Sequence, residues 1–385
     1  MIPRAICTEG QMFARWNDCP TGCRRPLIEA MRSESQIIER ISRGLVNSRP
    51  SSYKVNGLRL GIGDDAAVLS AGFLARGGLG AGDLVLSCDA FLENIHFLAK
   101  VHSPDAIGYK ALARATSDLA AMGATPRFFM LALALPPSRT GAWLDSLIKG
   151  MARAAREFGM VLIGGDTSQN TVITMNFTVG GDVGPGRALT RSGARPGDGV
   201  YVSGTLGAAQ LGLELVLRGL HRVRRWRRLL EPHLRPRIQL ELGKWLAGGT
   251  RRRGIASAAT DTSDGLSTDL THICQSSRVC ARIFADRIPA VNVPQPLRRL
   301  GFDPLQLALH GAEDYQLLFT VPTTEESRIA RAYRQGQVAR IGEIIPAKKN
   351  GGKSKRSSGS LIELVGASGK TAPLSPRGWD HFRQR

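Results

Sequence analysis

This chain lacks any apolar run long enough to span a membrane; the longest, Phe128 to Pro137, ends in two prolines. No membrane partner is therefore expected. Aromatic residues make up only 6% of the chain, and its 32 acidic residues are outnumbered by 52 Lys and Arg. The full P-loop pattern Gly-x-x-x-x-Gly-Lys-Ser/Thr is absent, so phosphates are not expected to be cradled in that way. No Ser/His/Asp arrangement and no evident nucleophilic cysteine stand out, which argues against covalent catalysis. Six cysteines without a signal peptide point to reduced thiols and a cytoplasmic protein. Cys19 and Cys23 have no second pair at metal-ligand spacing, which argues against zinc.

What is present is a globular composition: 385 residues, 42% apolar and 22% charged, enough for two domains that each bury a core. The formal charge of +20 suits either a nucleic-acid surface or attraction to phosphorylated small molecules. It is patchy, with six arginines between Arg218 and Arg228, three at Arg251 to Arg253 and five basic residues from Lys348 to Arg356. No recognisable nucleic-acid module accompanies these clusters, so they read as solvated faces and nucleic acid is not the expected partner. Residues 1–33 hold three cysteines, three prolines and no sustained periodicity, and read as a poorly ordered extension. Met31 stands directly before a helical pattern (Ile37, Ile38, Ile41, Leu45) capped by Ser33, and is a candidate start. Residues 34–185 then read as an N-terminal domain, and 186–385 as a C-terminal α/β domain with a flexible Gly/Ser/Lys-rich insertion at 346–360.

The recurring feature is an aspartate beside glycine or a hydroxyl. In Asp261-Thr262-Ser263-Asp264-Gly265, two carboxylates flank a hydroxyl just before a helical spacing of Leu266, Leu270 and Ile273. Helix capping is the plain alternative for these acids. The pattern returns at Gly61 to Asp65, Ser87-Cys88-Asp89, Ser117-Asp118 and Gly164-Gly165-Asp166. Around these, the spacing predicts helices over Ala106–Met122 and Trp143–Phe158, each closed by a glycine, and strands over Phe129–Leu135, Val172–Gly180 and Gly199–Ser203. Alternation of strand and helix argues for α/β layers.

Taken together and in order, Gly63 to Val68, Asp89 to Phe97, Ser117 to Ala124, Gly164 to Thr167, Arg187 to Gly193, Asp261 to Leu270 and Gly311 to Phe319 resemble the thiamine-monophosphate kinase family, over about Ser33 to Phe382. Ser117 to Ala124 and Trp379-Asp-His-Phe382 favour it over the aminoimidazole-ribonucleotide synthetases of the same superfamily, which remain the alternative. The resemblance implies an α/β (α+β) fold of two domains, with the N-terminal sheets of two protomers closing a β-barrel across a homodimer. It implies ATP-dependent phosphorylation of thiamine monophosphate with several Mg2+ ions. By position, Asp65, Ser87, Cys88, Asp89, Asp118, Asp166, Asp261 and Asp264 fall at metal ligands; Gly165, Asp166, Arg191 and Ser263 at nucleotide contacts; His96, Glu313 and Trp379 at substrate contacts. The catalytic roles fall to Asp264, Asp166 and Arg191. Cys88 stands where the family usually has threonine, Asn94 and Ala312 where it has glycine, and Ala115 where it has asparagine. The acceptor of such a reaction is a phosphate monoester with a second pKa of about 6, so it needs no general base. What remains is in-line transfer by positioning and charge neutralisation.

Overall fold

The computed structural model describes residues 58–61, 63–70, 82–248, 254–333, 336–347 and 360–382. The extension 1–33, the helix expected after Met31 and the Lys348 to Arg356 tract lie outside them. The chain divides into two units, residues 50–379 and residues 1–49 with 380–385. All elements named below belong to the first.

Strands β1 (Leu58–Leu60), β2 (Ala67–Ser70) and β3 (Asp83–Leu92) lead into helix α1 (Pro104–Ala121), strand β4 (Thr125–Leu135), helix α2 (Ala142–Phe158), and strands β5 (Val161–Gln169) and β6 (Thr174–Val183). They form one six-stranded sheet in the order β1-β2-β3-β6-β4-β5. β3 pairs antiparallel with β6 along its whole length, from Asp83 opposite Val183 to Leu92 opposite Thr174. β5 runs parallel to β4, as a strand returned by a helical crossover must. Within one chain this sheet is open.

The sequence sets the ends of α1 and α2 by ordinary capping. Ser103 Oγ accepts from the Ala106 amide and Pro104 occupies the first turn of α1, while Gly159 closes α2 with φ 68°. α1 is buried on nearly every side: Ile107, Ala111, Leu112, Ala115 and Leu119 are at most 2% exposed. Its crossing with α2 is tight enough to need glycine on both helices. A Cβ on Gly108 would sit 2.1 Å from the Leu147 carbonyl oxygen, and one on Gly150 1.9 Å from that of Asp105.

The second half carries β7 (Gly199–Ser203), α3 (Ala208–Leu217), α4 (Leu240–Leu246), β8 (Ala258–Asp261), α5 (Leu266–Ser277), β9 (Cys280–Phe284), α6 (Pro304–His310), β10 (Leu317–Val321), α7 (Glu326–Ala332), β11 (Val338–Ile345), β12 (Ile362–Val365) and β13 (Thr371–Leu374). Its seven strands are ordered β13-β12-β9-β11-β7-β10-β8, all antiparallel neighbours except β12 with β9. One apolar cluster joins α1 and the first sheet to Ala259, Leu317 and Phe319 of the second, so α1 is packed against both sheets. Among the described residues no helix is long and apolar enough to cross a membrane.

Candidate active site

β8 ends the second sheet at Asp261, and the segment after it is held by main-chain pairing. The Thr262 amide donates to the Gln316 carbonyl at 2.7 Å, Glu313 to Ser263 at 2.9 Å, Tyr315 to Thr262 at 3.0 Å and Trp379 to Asp264 at 3.0 Å. Three separated motifs thus share one backbone network. Helix α5 begins after Gly265 with no side-chain cap at that residue, so neither Asp261 nor Asp264 is its N-cap. The Gly265 amide donates instead to Asp269 inside the helix, at 2.9 Å.

α1 supplies the other wall. Lys110, Arg114 and Asp118 recur every four residues and so lie along one helix face. Lys110 Nζ donates to Glu313 at 2.7 Å, Arg114 grips both oxygens of Asp89 at 2.7 and 3.0 Å, and Ser87 Oγ donates to Asp118. Beside them, Ser117 Oγ donates to Asp261 at 2.5 Å.

Asp65, Asp118 and Asp261 meet here, each offering a carboxylate oxygen within 4.8 Å of the others. They come from the turn before β2, from α1 and from β8. Arg191 reaches Asp65 through Nε at 3.1 Å and through its Nη2, while its own amide donates to Asp64 at 3.0 Å. Thr260 Oγ1 also donates to Asp65, at 3.0 Å, yet among the described residues Asp65 Oδ2 is buried with no hydrogen-bond partner. Burial, and then the neighbouring charges of Asp261, Asp89 and Asp65, push the Asp118 carboxyl well above its ordinary value. Burial and Asp65 push Asp261 up to about 7. Arg191 offsets the charge of Asp65, but three carboxylates this close cannot all be ionised on that one cation alone. Hard oxygen donors from three elements, one of them orphaned, fit Mg2+.

Other predicted residues are placed differently. Asp264 lies close enough to raise Asp261 and Asp269 by its charge. His96 stacks on Phe91 with ring centroids 5.5 Å apart, and its Nδ1 accepts from the Leu92 amide at 2.9 Å. Cys88 faces the opposite side of β3 from Ser87 and Asp89. Its Sγ lies 3.0 Å from Asn176 Oδ1 and accepts from Thr178 Oγ1 at 3.6 Å. Its thiol is therefore not brought to the trio. Asp166 lies on the exposed edge strand β5, in register with Ala132, Asn176 and Ala90. That is three strand spacings from β3, about 14 Å. Gly165 has a structural need of its own: a Cβ there would meet the Leu131 carbonyl oxygen at 1.9 Å. Asn94 adopts φ 67°, a conformation asparagine tolerates, whereas Ala312 is not in a left-handed conformation; Glu313 and Tyr315 are, at 67° and 49°. Sequence reasoning missed Lys110 and Arg114, and gave no role to Ser117 and Asp269 although both lie inside the quoted motifs. The signal was there for the first two, as polar residues at four-residue spacing ahead of Asp118.

A two-sheet α/β chain whose acids converge from both halves belongs with the AIR synthase related proteins: the N-terminal domain of that family matches residues 63–183 and the C-terminal domain residues 195–355. Within it, the chain is 39% identical over 325 residues to the thiamine-monophosphate kinase of Salmonella typhimurium, covering 84% of this chain and 91% of that protein. The crystal structure of thiamine-monophosphate kinase from Stenotrophomonas maltophilia is 34% identical with a TM-score of 0.63, covering 82% of this chain and 95% of that one. The structure of AaThiL complexed with AMPPCP and TMP gives a TM-score of 0.72 at 30% identity, over 91% and 97%. The chain belongs to the thiamine-monophosphate kinase family.

Proposed function

We propose that this chain transfers the γ-phosphoryl group of ATP to thiamine monophosphate, giving thiamine diphosphate and ADP, by direct in-line attack of the acceptor phosphate. The observation that carries this is the convergence of Asp65, Asp118 and Asp261 from both halves of the molecule at one point. The relative solved with AMPPCP and TMP supports the choice of substrates. Mg2+ held by this trio, with Asp264 and Asp89 beside it, would neutralise the charge of two phosphorylated substrates that otherwise repel each other. Arg191, held by Asp64 and Asp65, would use its remaining N–H groups to hydrogen-bond phosphate oxygens in pairs. Ser263, next to Asp264 in the chain, and Gly165, next to Asp166, are assigned to the nucleotide. Glu313, His96 and Trp379 are assigned to the thiamine moiety. An ionised carboxylate and an indole face both suit a thiazolium cation, a stacking contact of roughly 0.5–2 kcal/mol. No side chain is asked to remove a proton from the acceptor, since a phosphate monoester is largely deprotonated near neutral pH.

The active form we propose is a cytoplasmic homodimer in which the six-stranded sheets of two copies close a barrel. Supporting this, Val161, Leu162 and Ile163 on edge strand β5 are 64, 53 and 58% exposed, an open apolar edge that a second copy would cover. Asp166, on that edge strand, would then act at or beside the interface. The test is a coupled assay of ADP formation with and without thiamine monophosphate and Mg2+. Turnover is expected only when ATP, thiamine monophosphate and Mg2+ are all present, and Asp264→Asn is expected to abolish it with the fold intact. ADP release that ignores thiamine monophosphate but responds to an amide acceptor would overturn the reading in favour of a synthetase-type reaction.

A further inference from the structure

Behind Glu313 lies a buried chain of polar groups that the proposed reaction leaves without a role. Lys110 is 4% exposed, His102 7% and His233 1%. Lys110 Nζ donates to Glu313 Oε2 at 2.7 Å; His233 Nδ1 lies 3.4 Å from the same oxygen and 3.2 Å from Lys110 Nζ. His233 Nε2 lies 3.2 Å from His102 Nε2, and His102 Nδ1 lies 2.9 Å from the Leu98 amide nitrogen and 3.2 Å from the Leu98 carbonyl oxygen.

The amide is the shorter of the two Leu98 contacts and can only donate, so it favours an accepting Nδ1; donation from Nδ1 to the Leu98 carbonyl would reverse the series and turn His233 Nδ1 into an acceptor from Lys110. With Nδ1 of His102 accepting, the proton of its neutral ring is on Nε2 and is donated to His233 Nε2. The proton of neutral His233 must then be on Nδ1, facing Glu313. Burial keeps both rings neutral. It is the main cause that pushes His102 down to about 4, with His233 and Lys110 adding to it, and burial followed by Lys110 lowers His233. In that series Glu313 Oε2 faces two donors, Lys110 Nζ and His233 Nδ1, and its backbone is held in the left-handed region at φ 67°, a conformation that persists only when its surroundings enforce it.

We infer that Lys110 and His233 are positioning residues, which hold the Glu313 carboxylate ionised and in a single orientation toward thiamine monophosphate, with His102 dictating which His233 nitrogen carries the proton. This rests on the reading of Glu313 as a substrate contact. It also gives the segment just after the arginine-rich stretch a task, since His233 sits in the short helix Glu231–Leu234 that comes directly after Arg222 to Arg228 and two leucines.

The test is steady-state kinetics with each substrate varied, together with melting curves. Glu313→Gln is expected to raise KM for thiamine monophosphate about tenfold or more and to leave KM for ATP near its original value. His233→Leu should do the same. His233→Asn, whose amide nitrogen can stand where Nδ1–H stood, should recover most of the loss. Lys110→Met leaves a buried acid unpaired and can unfold the protein, so the deciding variant is Lys110→Met with Glu313→Gln, which removes both charges. Its KM for thiamine monophosphate should match that of Glu313→Gln alone, because a residue that acts only through Glu313 has nothing left to position. A double variant whose defect is the product of the two single defects overturns the inference, as does His233→Leu with unchanged KM while Glu313→Gln is impaired. Unchanged KM in Glu313→Gln itself sinks the assignment of Glu313 to substrate, and the positioning role falls with it.

Discussion

Asp65, Asp118 and Asp261 crowd their carboxylates within 4.8 Å at a partly or fully buried point, an arrangement that Arg191 offsets at Asp65 and that otherwise works against folding when no metal ion is present. Two unit charges 4 Å apart at an effective dielectric of 20 repel by about 4 kcal/mol. Asp118→Asn should therefore melt at the same or a higher temperature than the parent in metal-free buffer, while turnover falls by about two orders of magnitude or more. A lower melting temperature with normal turnover would make the trio a structural feature instead. A second residue-scale prediction concerns His272, whose Nδ1 is buried with no hydrogen-bond partner among the described residues. Burial, and then Arg191, push this imidazole down to about 4. Because its folded pKa is depressed, the unfolded chain binds the extra proton between about pH 6.5 and 4, and the stability present above 6.5 is lost as pH falls. His272→Leu should lose less stability than the parent on acidification from pH 7 to 5, by at most about 1.4 kcal/mol per pH unit. Parallel acid melts of the two proteins check this. The acids were legible in the sequence because each sits beside a glycine or hydroxyl in a recognisable order. The donors that hold them were not, because Lys110 and Arg114 look like the polar stripe of an ordinary amphipathic helix until the structure shows that α1 has no solvent-facing side.

At the scale of elements, α1 is the part that joins the two halves of the site. It carries Lys110, Arg114, Ser117 and Asp118, whose partners Glu313, Asp89, Asp261 and Ser87 come from β3, the end of β8 and the loop before β10. Its placement depends on the crossing with α2, where Gly150 lies against the Asp105 carbonyl. Adding a methyl there forces backbone apart, not a flexible side chain. Gly150→Ala is expected to destabilise by roughly 1–3 kcal/mol and to lower kcat more than an equally destabilising surface change, because all four side chains move with the helix. Chemical denaturation paired with the ADP assay measures both effects; loss of stability with an unchanged kcat would show that α1 tolerates displacement. Helix ends such as Gly123 and Gly159 were readable because glycine stops a helix by a local mechanism. Strand order was not, since β6 inserts between β3 and β4 through pairings that span up to about a hundred residues of sequence and leave no local mark.

For the whole molecule, the question is what covers β5. An edge strand with three consecutive apolar residues more than half exposed invites pairing, and natural sheets guard such edges with charge when they are meant to stay free. Here the run Val161-Leu162-Ile163 carries none. Asp166 lies further along the same strand, away from the Asp65, Asp118 and Asp261 trio of its own chain. If closure of the barrel brings it into use, activity and assembly are linked. Ile163→Lys should then sediment as a monomer at concentrations where the parent is a dimer, and its turnover should rise with protein concentration as mass action restores pairing. Its melting temperature should also fall with dilution more steeply than that of the parent. A dimeric Ile163→Lys would move the interface elsewhere on the sheet. A monomeric variant with full specific activity at every concentration would instead show that a single chain completes the site, and would leave Asp166 without a part in the chemistry.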